Sequence, residues 1–178
     1  ALRRLGNFDE ALWNVNAALR KAPQYAEANL ELVRLLLATN RPHEAVRRIQ
    51  FCIRRMHYHI PSKLFGPLAS LYGLAYVRQG QLDLASPFLK SAVEFNEGDA
   101  AETIMTMKHV SELLLAEGDV DTHLQALRTI IAIVEETHED PGEIAKAKLE
   151  LAIAQERAGK NSCELIKENV KKLRKRKC

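Results

Sequence analysis

Apolar side chains recur along this chain at the spacing of one helix face. In Ala45, Ile49, Cys52, Ile53 and Met56 they fall at i, i+4, i+7, i+8 and i+11, the stripe of an amphipathic helix. No stretch of comparable length alternates with period two. After a stub at residues 1–5 the pattern predicts nine helices, at about 7–21, 25–39, 42–58, 62–79, 82–96, 100–117, 120–138, 142–158 and 162–177. Breaker residues punctuate them: Pro23, Pro42, Pro61, Asn96-Glu97-Gly98-Asp99, Asp140-Pro141-Gly142 and Lys160-Asn161-Ser162. Pro42 and Pro141 suit a first helical turn, where the missing N–H costs nothing. Ser162 suits an N-cap. Pro87 lies a turn inside its helix and predicts a late start or a kink.

The turns repeat as well. Gly6, Asn40, Gly80, Gly118 and Gly159 are separated by 34, 40, 38 and 41 residues. Gly6-Asn7-Phe8-Asp9-Glu10-Ala11 and Gly80-Gln81-Leu82-Asp83-Leu84-Ala85 open helices with one grammar. Asn40-Arg41-Pro42-His43-Glu44-Ala45 and Gly118-Asp119-Val120-Asp121-Thr122-His123 are weaker copies. A fixed period in this range predicts stacked helical hairpins, which create extended surface for partners.

The clearest copy runs Leu71-Tyr72-Gly73-Leu74-Ala75-Tyr76, then Gly80, Leu82, Ala85, Leu89 and Ala92. Gly6, Phe8, Ala11, Val15, Ala18 and Pro23 form the first copy, and Leu32, Leu36, Asn40, Ala45, Ile49 and Cys52 the second. These residues resemble the tetratricopeptide repeat, a helix–turn–helix unit of about 34 residues. The resemblance implies an all-α, right-handed solenoid of antiparallel helix hairpins over 1–178: a partial repeat at 1–25, repeats at about 26–59, 60–99 and 100–140, and a C-terminal hairpin or cap at 141–178. The last units depart from the family pattern. His123 and Ile130 stand where its two helix-B alanines belong, Glu164 replaces the first of them in the final copy, and the closing proline is missing after the first copy. The longer spacing predicts later helices one turn longer than the family norm, with the first excess at His57–Lys63.

Composition narrows the class. At 178 residues with 47% apolar content, the chain suits one folded helical domain. No apolar run approaches the roughly 20 residues that span a bilayer. Ala1-Leu2-Arg3-Arg4-Leu5 reads as the end of a helix already under way, so a domain excised from a longer protein is expected. Cys52, Cys163 and Cys178 form no disulfide framework and fit a reducing compartment. His57 and His59 share one loop without a cysteine or carboxylate at ligand spacing, so no metal and no cofactor are expected. The net charge of +3 comes from the tail. Without Lys171, Lys172, Arg174, Lys175, Arg176 and Lys177 the remainder is −3. A cytoplasmic setting is expected, with the nucleus as the alternative.

No phosphate loop, nucleophile elbow, catalytic carboxylate pair or Cys/His dyad is legible, so the chain is expected not to be an enzyme. The resemblance implies that the first helix of each repeat, helix A, lines a concave groove. In this register the groove is Glu27, Leu30, Arg34 and Leu37, then Ser70, Leu74, Val77 and Arg78, then Met105, Lys108 and Glu112. Such a mixture suits a peptide-like segment of a partner protein with apolar and acidic character. Some family members clamp the C-terminal carboxylate of heat-shock chaperones. The matching places here read Leu30, Arg34, Leu71, Met105 and His109, so that ligand is not expected.

Arg41, Arg48 and Arg55, with Arg47 and Arg54, form a second basic surface opposite the apolar stripe of their helix; its simplest meaning is a solvated outer face. The last helix, with Leu165, Ile166, Val170 and Leu173 packing inward, reads as a cap carrying the basic tail. The leading expectation is a scaffold or adaptor that binds a partner protein in its concave groove, with no membrane role. One alternative is a nucleic-acid-associated or transcription-linked factor using the arginine stripe and tail. A third is a ligand-sensing regulatory domain.

Overall fold

Helices form where the apolar stripe predicts them. The computed structural model describes residues 7–56, 60–96, 98–137, 141–159 and 170. Among these there are eight α-helices and no strand: α1 (Phe8–Lys21), α2 (Ala26–Ala38), α3 (Pro42–Met56), α4 (Phe65–Val77), α5 (Leu82–Phe95), α6 (Ala100–Glu117), α7 (Val120–Thr137) and α8 (Pro141–Arg157). A short 3-10 turn, Ser62–Leu64, leads into α4. The expected ninth helix at 162–177 lies outside the described residues.

Local chemistry explains the boundaries. The side chains of Asn7, Asp99 and Asp119 accept the backbone N–H three residues on, capping α1, α6 and α7. Asn7 also donates to the Glu10 carboxylate at 2.6 Å, tying down the first turn of α1. Pro42 and Pro141 are the first residues of α3 and α8, as their fixed φ favours. Gly118 ends α6 at φ 81°, and Asn40 makes the corresponding turn after α2 at φ 56°. Both lie in the left-handed region, which glycine enters freely and asparagine tolerates better than most residues.

Pro87 does not delay its helix, because α5 starts at Leu82. Its ring removes the N–H that would have bonded the Asp83 carbonyl. Both residues are exposed, so water can satisfy that carbonyl. The expected lengthening is present: α6, α7 and α8 have 18, 18 and 17 residues, against 13–15 in the first five helices.

By internal packing the chain has two compact units, Ala1–Glu97 and Gly98–Cys178. In the first, Leu30, Val33, Leu36 and Leu37 of α2 pack with Ala45 and Ile49 of α3 and with Leu68, Leu71, Leu74 and Ala75 of α4. Ile49 is wholly buried, which contributes about 1.5–3 kcal/mol. Helices α4 and α5 approach closely at Gly73. A Cβ built on Gly73 would lie 2.5 Å from Leu89 Cγ and 3.2 Å from the Ala85 carbonyl oxygen. Only glycine lets the two helices meet at that distance.

In the second unit Leu124, Leu127, Ile130 and Val134 of α7 pack with Leu151 of α8 and with Ile104 and Met107 of α6. Here the departures from the repeat pattern acquire a physical reason. Counting from the turn glycines, Ser111 stands where Gly73 does, and His123 where Ala85 does. Both are buried, and Ser111 Oγ lies 2.8 Å from His123 Nδ1. A hydrogen-bonded polar pair thus replaces the small–small contact, satisfying groups whose unpaired burial would be costly. Ile130, in place of the second alanine, is 1% exposed and fills the core.

Candidate functional site

The helix-A faces divide sharply by burial. Leu30, Leu37, Ser70 and Leu74, expected in an open groove, are 5%, 2%, 2% and 5% exposed. The three leucines belong to the core of the first unit. The physical reason is that α2 and α4 pack on each other and on α3, so the stripe between them faces a neighbouring helix and not solvent. These four residues are corrected from groove lining to packing.

The other expected positions stay accessible. Glu27, Arg34 and Val77 are half-buried and Arg78 is exposed. Arg34 Nη1 lies 3.9 Å from Glu31 Oε2 on the same helix. Arg78 Nη1 donates to the Leu37 carbonyl oxygen at 2.9 Å. This bond adds a second donor to a carbonyl that already accepts the Asn40 N–H, and it joins α4 to α2, so Arg78 has a structural duty. In the second unit Met105 and Glu112 are exposed, while Lys108 is half-buried and lies 3.7 Å from Glu150 of α8.

The basic stripe of α3 is not uniformly a solvated face. Arg41, Arg47 and Arg48 line an open cleft of about 360 Å³ together with Glu44 and Phe51. Leu32 and Leu36 of α2 and Leu12 and Asn16 of α1 complete it. Arg41 holds Glu44 through two hydrogen bonds, Nε at 2.6 Å and Nη2 at 2.7 Å. That pairing lowers the Glu44 carboxyl from its ordinary value and raises the Arg41 guanidinium. Arg48 stacks its guanidinium carbon 4.6 Å from the Phe51 ring centroid. Arg54 and Arg55 are exposed and do not line the cleft. Sequence periodicity identified the arginines. It could not find the cleft, because three helices build it.

An aromatic cluster sits between α4 and α5. Tyr72 and Tyr76 stack at 4.8 Å, and Phe88 lies 4.4 Å from Tyr72. The Tyr76 hydroxyl donates to the Tyr72 oxygen at 3.1 Å, and Gln50 of α3 donates to the same oxygen at 3.3 Å. Donation to Tyr72, then burial, pushes Tyr76 up to about 12. Cys52 is a free thiol, 3% exposed; burial raises it, so it packs as a small hydrophobe.

Among the described residues no three His, Cys, Asp or Glu side chains are grouped so as to hold a metal ion. Among the described residues, too, no helix is long and apolar enough to cross a membrane. His57 and His59, the basic residues Lys171, Lys172, Arg174, Lys175, Arg176 and Lys177, and Cys163 and Cys178 lie outside the described residues.

Comparison with known proteins agrees with this architecture. Residues 2–50 match the family model of the tetratricopeptide repeat. No curated protein sequence matches the chain. Among solved structures, the chain is similar to the nearly identical TPR-like repeats assigned to a Podosopora anserina kinesin light chain. That match has a TM-score of 0.66 at 20% identity and covers 99% of this chain and 91% of that one. It is also similar to MamA, with a TM-score of 0.60 at 19% identity, covering 98% and 94%. At this identity the likeness is one of fold: all-α helical hairpins of tetratricopeptide type.

Proposed function

We propose that this chain is a non-catalytic protein-binding scaffold that receives a segment of a partner protein on its helix-A faces. Folds of this type generally serve as scaffolds for protein binding. The observation that carries the finer reading is the split in burial along α2 and α4. The stripe Leu30, Leu37, Ser70 and Leu74 is spent on packing, and it leaves Glu27, Arg34, Val77 and Arg78 at its accessible margin. One apolar side chain among charged ones suits a partner segment with apolar and acidic groups. Met105, Lys108 and Glu112 present a similar mixture in the second unit.

The test is affinity capture on the full chain, followed by hydrogen exchange of the chain with and without the captured partner. The expected result is slower exchange in α2 and α4 when the partner is present. Protection that spares both helices contradicts the reading. Arg34→Glu with Val77→Asp is the matching variant pair, because neither residue belongs to the buried core of the first unit.

A further inference from the structure

We propose that the cleft between α1, α2 and α3 is a second docking site, and that its occupant is a short acidic peptide segment carrying apolar side chains. This goes beyond the helix-A reading, because a different face of the first unit forms the site.

Charge complementarity and an apolar floor carry the proposal together. The rim holds three guanidiniums and one carboxylate, and the carboxylate is already engaged. Glu44 takes both of its hydrogen bonds from Arg41. Arg47 contributes to the electrostatic lowering of Glu44 and makes no hydrogen bond among the described residues. Arg48 Nε is buried and also lacks an acceptor among the described residues. Arg47, which is exposed, keeps its donors for an incoming carboxylate, the Arg48 guanidinium adds positive charge beside it, and guanidinium–carboxylate pairs are among the stronger charge-assisted hydrogen bonds.

The floor defines the rest of the ligand. Half-buried Leu32 of α2 and Leu12 of α1 supply its apolar surface, with Phe51 of α3 beside them, while Leu36, one turn on from Leu32, lies behind as part of the core. The Phe51 ring is held under Arg48 and so is pre-oriented. From Arg41 to Phe51 the α3 wall runs about 15 Å at the rise of a helix. An extended segment of four or five residues covers that length at roughly 3.3 Å each. A volume of 360 Å³ is large for a single side chain and small for a folded element, so it suits a few side chains of one strand-like segment. Nucleic acid is the less favoured occupant. The cleft holds a single aromatic ring, Phe51, whereas stacking along a nucleic-acid strand uses successive rings.

The experiment is fluorescence polarisation on the full chain with a labelled Glu-Asp-Leu-Glu-Phe-Asp-Glu peptide. The controls are the same peptide with Leu and Phe replaced by Ser, and a single-stranded oligo-dT. Two variants act from opposite walls: Arg47→Glu on α3, and Asn16→Trp on α1, which adds bulk to the cleft while leaving all three arginines in the sequence. Both positions are exposed, and circular dichroism checks the fold of each variant. The expected result is binding that weakens about tenfold or more with the Ser peptide and with either variant, and that Arg34→Glu leaves unchanged. That last arm separates this site from the helix-A face. Four results overturn the proposal: no peptide binding, equal affinity for the Ser peptide, wild-type affinity in both folded variants, or oligo-dT binding more tightly than the peptide.

Discussion

Gly73 and Ser111 show how one repeat position meets two chemical demands. At Gly73 the helices touch, and a methyl group would collide with Leu89. At Ser111 the same position carries a hydroxyl whose partner is buried His123. His123→Ala leaves Ser111 Oγ without that partner and is expected to cost about 1–3 kcal/mol. Adding Ser111→Gly recreates the Gly73–Ala85 pairing, so the double variant loses less than the sum of the single ones. A coupling of roughly 0.5–3 kcal/mol in urea denaturation is expected. Strict additivity contradicts the account of the pair.

Tyr76 gives a second test at this scale. An unfolded tyrosine titrates near about 10, whereas Tyr76 is pushed up to about 12. Because the folded value is the higher, the folded state keeps the proton longer. The resulting stabilisation is complete below about pH 10 and is lost as pH rises through about 12. Removing the acceptor with Tyr72→Phe should bring the Tyr76 step down toward 10 in an ultraviolet absorbance titration. An unchanged midpoint means the Tyr72 hydroxyl is not the cause.

Helices differ in how firmly they are held, and burial predicts the order. α1 buries only Ala11 and Leu19 and exposes Trp13 at 66%, whereas nine residues of α4 are buried. Amide protons of α1 are therefore expected to exchange faster than those of α4 and α5. Equal protection in dilute solution contradicts this ranking. Element positions were largely legible in the sequence, because each end carries its own chemistry. Asn7, Asp99 and Asp119 cap helices, Pro42 and Pro141 start them, and Asn40 and Gly118 reverse the chain. The candidate site was less legible. Burial on a helix face changes within one residue, and the partner helix decides which way. Ser70 is polar, yet α4 carries it into the interior at 2% exposure. Leu30, Leu37 and Leu74 are apolar, and the same spacing served equally for a groove or for packing. The cleft at Arg47 needs Leu12 and Asn16 of α1, more than thirty residues upstream, and no periodicity within α3 reports them.

At the scale of the molecule, stacked hairpins spend one stripe of each helix on packing and leave the rest as surface. Two surfaces of the first unit follow from that division: the margin of α2 and α4 at Arg34 and Val77, and the arginine cleft over α1, α2 and α3. An exposed ion pair contributes about 0–1 kcal/mol. An anchor within an interface costs about 2 kcal/mol or more on truncation, roughly 30-fold in affinity. Affinities of variants therefore rank the two surfaces. The most direct measurement is the dissociation constant of the captured partner for wild type, for Arg34→Glu with Val77→Asp, and for Arg47→Glu. The helix-A account predicts a loss of about 30-fold or more for the first variant and less than about fivefold for the second. A reversed order contradicts it and moves the partner's site to the arginine cleft.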